Sequence, residues 1–155
     1  MKIRLVFISI IFIFSSATAQ SFAVESGLGF IEGVVDAKST QDYSANFKFG
    51  LRATLPLNDD IEIYIAPYYL AGIGIDSGIW FNFPVTLESE EGFDSYAGLG
   101  LSYLNNRVGL SLVAALSYEL DEGSQITLTY THRPMFTPSL NQVFDISLGY
   151  KLLLE

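Results

Sequence analysis

The sequence predicts an all-β protein: an eight-stranded antiparallel up-and-down β-barrel with a polar, side-chain-filled interior. Three features predict this fold. Apolar and polar residues alternate along eight segments, turn residues separate the segments, and ionic residues keep to one of the two faces. The predicted strands span roughly 22–35, 43–56, 61–73, 77–88, 93–104, 107–120, 124–133 and 142–154.

The connections between these segments are rich in residues that favour turns. They read "DAKSTQD", "LNDD", "IDSG", "ESEEG", "NN", "DEGS" and "PMFTPSLN". The sequence contains no linker, no low-complexity tract and no helical period. The recurring strand-and-turn unit therefore accounts for the whole chain after its first residues.

The first 19 residues have the organisation of a secretory signal peptide. Lys2 and Arg4 are positively charged, an apolar run from Leu5 to Phe14 follows, and Ala17 and Ala19 are small residues at the positions a signal peptidase reads. The apolar run is too short to span a bilayer, which takes about 20 residues. We therefore expect cleavage after Ala19, which leaves residues 20–155 as the barrel domain.

The composition narrows the function classes. Loss of Lys2 and Arg4 changes the formal net charge from −9 to −11, which argues against nucleic acid as a partner. The chain has no cysteine, so it has no disulfide, no cysteine-based metal site and no lipoprotein anchor. It is 50% hydrophobic, with a mean hydropathy of +0.35, although no later apolar stretch reaches the length of a transmembrane helix.

The two faces of the predicted strands differ in charge. In "QITLTYTHR", residues 125–133, polar side chains alternate with Ile126, Leu128, Tyr130 and His132. In strands two to eight the apolar face contains no Asp, Glu, Lys or Arg. The strand charges lie on the other face, at Lys48, Arg52, Glu62, Glu88, Asp94, Glu119, Arg133, Asp145 and Lys151.

This segregation predicts that the apolar face touches lipid. A cation facing the bilayer midplane costs about 2–4 kcal/mol, so a lipid-facing surface excludes charge, whereas a wet surface has no such need. Only a closed sheet leaves no unpaired backbone groups in hydrocarbon, so we expect the first and eighth strands to pair in a transmembrane barrel.

Glycine supports the same assignment of faces. Gly78, Gly92 and Gly123 are predicted in turns or at strand ends. The other ten glycines lie on the polar face or continue it into a loop. The interior of an eight-stranded barrel is just wide enough for side chains to fill, and glycines on that face make room for larger ones.

In this pattern the chain resembles the small eight-stranded outer-membrane β-barrel proteins of diderm bacteria, of OmpA/OmpX-like architecture. The resemblance covers residues 22–154 and rests on the pattern of strands rather than on a signature motif. It implies periplasmic termini, periplasmic turns at "LNDD", "ESEEG" and "DEGS", and outer connections at 36–42, 74–78, 105–106 and 134–141. It also implies interfacial aromatic residues, which are Phe22, Phe93, Tyr118 and Tyr150 on the periplasmic side and Tyr43, Tyr103 and Phe144 on the outer side.

The interior charges are the main candidate site. They are Lys48, Arg52, Glu62, Glu88, Glu119, Arg133, Asp145 and Lys151, and Glu25 is a further candidate. Buried charges need partners, so we interpret them as a salt-bridged structural network that fills the barrel. The alternative is a narrow path for ions.

The only histidine, His132, lies on the lipid-facing side. Outer-membrane lipid A deacylases carry a His-x-Ser-Asn motif on such a strand. Here the sequence reads His132-Arg133-Pro134-Met135, so the serine nucleophile is missing, and Ser139 lacks the expected spacing. The acidic run from Glu88 to Asp94 lacks the spacing of a known calcium loop. We therefore predict no catalytic, metal or cofactor site.

These features predict an integral protein of the bacterial outer membrane, exported through its signal peptide, with a structural or interaction role in the cell envelope and no catalysis. Its expected partners are outer-membrane lipids, and other envelope proteins are candidate partners. The alternatives are a narrow channel for small solutes, a lipid A-modifying enzyme that needs His132, and a soluble lipocalin-like carrier. The last would expose rows of large apolar side chains to water.

Overall fold

A computed structural model describes residues 21–34, 41–83, 93–137 and 140–153. The predicted signal peptide (residues 1–19), Glu88 and most of the acidic run lie outside the described residues. Eight strands form the described chain: β1 (Ser21–Val34), β2 (Gln41–Asn58), β3 (Ile61–Leu70), β4 (Ile73–Phe83), β5 (Phe93–Leu104), β6 (Arg107–Asp121), β7 (Ser124–Thr137) and β8 (Leu140–Leu153). Within these residues no helix is long and apolar enough to cross a membrane.

The strands form one closed antiparallel barrel in chain order, as predicted. β1 pairs with β2 on one side and with β8 on the other, so that Ala23 lies opposite both Arg52 and Lys151. Both ends of the described chain, Ser21 and Leu153, lie at one end of the barrel, together with the turns at Asp59–Asp60 and Glu122–Gly123. We call this the terminal end, and the opposite one, with the turns at Ala71–Gly72 and Asn105–Asn106, the loop end.

The alternation of side chains follows the predicted faces. On β7, Gln125, Thr127, Thr129, Thr131 and Arg133 are buried in the interior, while Ile126, Leu128 and Tyr130 are exposed on the outside. Large apolar side chains cover the outer surface of the other strands as well, for example Phe47 (63% exposed) and Leu148 (57% exposed). The outward positions of the described strands hold no Asp, Lys or Arg and a single Glu, Glu32 near the loop end, whose side chain is buried.

The predicted boundary between the third and fourth strands is wrong. The connection lies at Ala71–Gly72, not at residues 74–78, and "IDSG" is part of β4. Tyr69 pairs with Ile73 and Tyr68 with Gly74, so even-numbered residues face the interior both before and after the turn. Because the alternation continues unbroken through this turn, periodicity does not reveal it. The prediction places the turn at Asp76, Ser77 and Gly78 because these residue types favour turns, and this position is wrong.

Two other predicted boundaries also shift. β7 continues to Thr137 and β8 begins at Leu140, so most of the predicted connection 134–141 is strand. Pro134 faces outward and lies opposite Gln142, next to a register shift between Pro134 and Thr137. A proline is compatible with a strand at such an irregularity, where the ladder already lacks a hydrogen bond. The predicted "NN" turn is correct: Asn105 and Asn106 both have positive φ, 48° and 65°, as a two-residue hairpin turn of type I′ requires.

Two inward-facing glycines allow neighbouring strands to approach closely at opposite seams of the barrel. A Cβ atom at Gly27 would overlap the backbone of β8 at Ile146 and Ser147. A Cβ atom at Gly78 would overlap the backbone of β5 at Leu99 and Gly100. Gly78, predicted at a strand end, therefore lies inside β4, where it lets the sheet bend sharply enough to close around a narrow interior.

We predict that Gly78→Ala destabilises the barrel by about 1–3 kcal/mol, since the added methyl group collides with backbone that has no room to move. Gly149→Ala is the matched control, because a Cβ atom there would meet the Cγ atom of Glu25 at 3.2 Å and nearby backbone oxygens only at 3.5 Å or more. Urea unfolding in lipid vesicles measures both. Equal stability of the two variants would contradict this account of Gly78.

Candidate functional site: the ionic interior of the barrel

Six charged side chains form a continuous chain of alternating charge inside the barrel, in the order Arg52, Glu25, Lys48, Asp145, Arg133 and Asp76. Arg52 Nη2 lies 2.7 Å from Glu25 Oε1, an ion pair without the angle of a hydrogen bond, and the other carboxylate oxygen of Glu25 accepts from Lys48 at 3.4 Å. Lys48 also donates to Asp145 at 2.7 Å. Three cations and three carboxylates balance, and every one of these residues is buried.

Arg133 is the best-connected member of this ionic chain. Its Nη1 donates to Asp145, and its Nε and Nη2 both donate to Asp76, at 2.9 and 2.7 Å to Oδ2. The planar guanidinium suits this two-pronged contact with a carboxylate. Arg133 comes from β7, Asp145 from β8 and Asp76 from β4, so the network joins opposite sides of the barrel.

Aromatic rings of the interior cover the cations. The Arg52 guanidinium carbon lies 4.1 Å from the centre of the Trp80 ring, and that of Arg133 lies 4.5 Å from the centre of the Tyr68 ring. Trp80 in turn contacts Tyr64 and Tyr96, each with ring centroids 5.4 Å apart. The attraction between a cation and the face of an aromatic ring is stronger where water is absent. These rings therefore stabilise the guanidinium groups, which are buried in the lumen.

The loop end of the interior is apolar rather than polar. Leu70, Leu104, Met135 and Val143 are buried together there, with Tyr68 beneath them and Ile31 packed against them. We call this group the apolar cap. It lies directly inside the turns at Ala71–Gly72 and Asn105–Asn106, and Asn105 Nδ2 donates to the carbonyl oxygen of Ala71 at 3.3 Å. Side chains therefore fill this end of the lumen.

At the terminal end of the interior, fewer of the described polar side chains have hydrogen-bond or ion-pair partners than in the middle. Lys151 Nζ lies 3.8 Å from Glu62 Oε1 and 5.2 Å from the centre of the Tyr96 ring. Gln125 Nε2 donates to Asp94 Oδ2 at 3.4 Å. Within the described part of the chain, buried polar atoms toward this end lack a hydrogen-bond partner; they include Arg52 Nε, Glu62 Oε2, Trp80 Nε1, Asn82 Oδ1 and Gln125 Oε1.

The sequence identified most, but not all, of these interior charges. The structure places Lys48, Arg52, Arg133, Asp145 and Lys151 inside the lumen, and Glu62 is half-buried beside Lys151. Glu119 lies on the inward phase opposite Gln125 but is exposed at the rim, so its predicted place in the enclosed network is wrong. Glu88 lies outside the described residues.

The prediction from the sequence omits Asp76 from the interior charges, and it includes Glu25 only as a further candidate. The turn-favouring sequence "IDSG" predicts that Asp76 lies in a loop, yet Asp76 is 3% exposed and accepts hydrogen bonds from Arg133. Asp76 has an even number, as do the inward-facing residues Tyr64 and Tyr68, so the alternation indicates that it faces inward. The turn-favouring residues around it indicate a loop instead. Glu25 is 2% exposed and links Arg52 to Lys48.

The predicted interfacial aromatics lie on the outer surface where their side chains are described. Toward the terminal end, Phe22 and Tyr150 are exposed and Phe93 contacts Tyr118 with ring centroids 4.8 Å apart. Toward the loop end, Phe144 stacks on Phe30 at 5.2 Å, and the hydroxyl of Tyr103 donates to Asn106. Tyr43 belongs to β2, and its side chain lies outside the described part.

His132 is half-buried on the outer surface. Its Nε2 lies 3.2 Å from Gln142 Oε1, a side-chain partner on β8. Pro134 follows it on the outward face, and no hydroxyl or carboxylate partner of His132 is recorded among the described residues. In the same residues no three His, Asp or Glu side chains converge on a point that would hold a metal ion.

A closed eight-stranded barrel with an apolar outer surface and an enclosed, charge-balanced interior has the fold of the small outer-membrane β-barrels. Comparison with solved structures shows the same fold. Neisserial surface protein A aligns with a TM-score of 0.63 at 12% identity, covering 86% of this chain and 97% of that one. A de novo designed transmembrane β-barrel aligns at 0.56 and 14% identity, covering 87% and 98%.

The outer membrane enzyme PagL aligns with a TM-score of 0.57 at 9% identity, covering 86% of this chain and 99% of that chain. No family model matches the sequence, and no curated protein is detectably similar to it. An enzyme and a designed protein share this architecture, so the similarities concern the fold and not the function. The role of the chain must therefore be argued from its own residues.

We predict that Asp145→Asn destabilises the barrel by about 3–5 kcal/mol, because it leaves Lys48 and Arg133 buried without one of their countercharges. The exposed turn residue Glu122 provides the control, since Glu122→Gln should change stability by no more than about 0.5 kcal/mol. Urea unfolding followed by the fluorescence of Trp80, the only tryptophan, measures both. Asp145→Asn with the stability of the control would show that the network contributes nothing.

Proposed function

We propose that this chain is an integral outer-membrane protein with a structural or interaction role in the cell envelope, exported through residues 1–19, and that it is not an enzyme. One observation supports membrane residence above all others: the outward positions of eight closed strands carry large apolar side chains and, apart from the buried Glu32, no charge. Such a surface suits hydrocarbon and would be an aggregation hazard in water.

The filled interior favours a structural role over transport. The ionic chain crosses the lumen between β4 and β8, and the apolar cap closes the loop end. Eight strands leave space only for side chains, so a solute path would need these groups to move apart. Outer-membrane lipids are then the immediate partners of the chain, and other envelope proteins would meet its rims and short turns.

The arrangement around His132 argues against catalysis. Its described partner, Gln142, is a neutral amide that neither activates nor replaces a nucleophile, and Pro134 stands where a lipid A deacylase has its serine. Mass spectrometry of lipid A from cells with the native protein and with His132→Ala tests this part of the proposal. A difference in acylation between the two would overturn it.

We predict that the protein stays in the outer-membrane fraction after alkaline carbonate extraction and migrates differently in gels when it is left unboiled. Both follow from a closed barrel whose hydrogen bonds are internal and whose surface prefers lipid. Release into the soluble periplasmic fraction would end the membrane proposal.

We predict that Leu112→Arg destabilises the barrel in lipid vesicles by about 2–4 kcal/mol, because Leu112 faces outward in the middle of β6 and the new charge would lie in hydrocarbon. Leu57→Arg, beside the turn of the terminal end, should cost only about 0–1 kcal/mol, since the interface is wet. Equal costs for the two variants would mean that lipid does not surround the barrel.

Planar-bilayer recording separates a filled barrel from a narrow channel. We expect no stable conductance steps from the native protein, since the ionic chain and the apolar cap both occupy the lumen. Reproducible steps would favour the transport alternative.

A further inference from the structure

The lumen at the terminal end contains several buried oxygen acceptors that no donor in the described part of the chain satisfies. Glu62 Oε2, Asn82 Oδ1 and Gln125 Oε1 have no hydrogen-bond donor among the described residues, although each atom is buried. The orientation of Gln125 follows from chemistry: the Asp94 carboxylate only accepts, so the Gln125 nitrogen must face it, which leaves the Gln125 oxygen free. Gln125 is itself 7% exposed.

Two of these residues lie next to a loosely held cation, the ammonium of Lys151: Glu62 faces it, and Gln125 is its direct cross-strand neighbour. Gln125 in turn donates to Asp94, so the carboxylates of Glu62 and Asp94 both belong to the group of residues around Lys151. The nearest carboxylate oxygen is 3.8 Å away, longer than the 2.7 Å between Lys48 and Asp145. An ammonium with three donors is thus held less tightly here than its counterpart in the middle of the barrel.

The rim around this site is acidic. Asp59, Asp60, Glu119, Asp121 and Glu122 are all exposed at the terminal end. Within the described part of the chain no Lys or Arg is exposed there, because Lys151 points inward and Arg107 belongs to the loop end. The potential at this mouth therefore attracts cations and raises their local concentration.

We propose that the mouth of the lumen at the terminal end is a binding site for a hydrated divalent cation, held by the carboxylates of Glu62 and Asp94 and the amide oxygen of Gln125, in competition with Lys151. Hard cations such as Ca²⁺ take oxygen ligands of these kinds and keep water in the remaining positions. With only two carboxylates the site is weak, on the order of 10⁻⁴–10⁻³ M, as in extracellular calcium modules.

The competition with Lys151 gives this site a property that a merely acidic surface lacks. The ammonium lies 3.8 Å from Glu62 Oε1, so an incoming cation must displace it or bind beside a like charge. Removal of that charge should strengthen binding, whereas removal of either carboxylate should weaken it. The site is independent of the proposed membrane role, since it needs only the folded barrel.

Terbium luminescence tests the proposal directly. Trp80 lies opposite Glu62 in the β3–β4 pair and contacts Tyr96, and it is the only tryptophan. Selective excitation of Trp80 in the folded protein in a zwitterionic detergent should sensitise emission from bound Tb³⁺. We expect a saturable signal that Ca²⁺ displaces. Absence of a saturable signal would overturn the proposal.

Three variants separate a built site from diffuse attraction. Lys151→Gln should tighten Tb³⁺ binding about tenfold, because a positive charge a few ångströms away is lost. Glu62→Gln should weaken it by about the same factor. Glu122→Gln removes one charge from the same rim and should change it less than about twofold.

Misfolding does not explain a gain in affinity, so Lys151→Gln keeps the test decisive even if Glu62→Gln destabilises the barrel. An unchanged affinity of Lys151→Gln would overturn the proposal, as would equal losses for Glu62→Gln and Glu122→Gln. Carbonate extraction of the same variants reports separately on membrane residence, so failure of the cation site is distinguishable from failure of the proposed function.

Discussion

The pairing of β1 with β8 is the constraint on which the rest of the structure depends. Without it, Ser21–Gly33 and Leu140–Leu153 would present two unpaired edges, and their backbone groups would have no partner in an apolar surrounding. With it, every strand has two neighbours, and the outer surface is free to be apolar. Closure with only eight strands also makes the interior narrow, so whatever faces inward must pack as closely as a protein core.

The interior meets this demand with two kinds of packing. Toward the loop end an ordinary apolar core, the cap around Leu70 and Leu104, excludes water. In the middle, charges are enclosed instead, and they are tolerable because cations and carboxylates alternate and because Trp80 and Tyr68 cover the guanidinium groups. Glycines such as Gly74 and Gly98 provide the space, since a Cβ atom at either position would collide with the ring of Tyr68 or of Trp80.

The terminal end departs from this close packing. Among the described residues, Lys151 has no hydrogen-bonded carboxylate partner as close as the one that Asp145 provides for Lys48, and several acceptors at this end lack donors. The lumen is therefore asymmetric along its axis. It is apolar at the loop end, filled with ion pairs in the middle, and lined at the terminal end by polar groups that lack hydrogen-bond partners in the described residues. That asymmetry sets the terminal end apart as the part of the interior with the fewest satisfied polar groups, while the rest is a packed core.

The sequence alone predicts the strand count, the closed antiparallel order and the outward position of Phe47, Leu112 and Ile146. Alternation with period two and the exclusion of charge from one face are local properties that can be read from each strand separately. Only the tertiary structure decided which charges meet. In the structure Asp76 pairs with Arg133, and Glu25 lies between Arg52 and Lys48. Glu119 lies at the rim, and the β3–β4 turn is at Ala71–Gly72. The reason is physical: periodicity determines the face on which a residue lies, whereas its height in the barrel and its partner across the lumen depend on the register of all eight strands together.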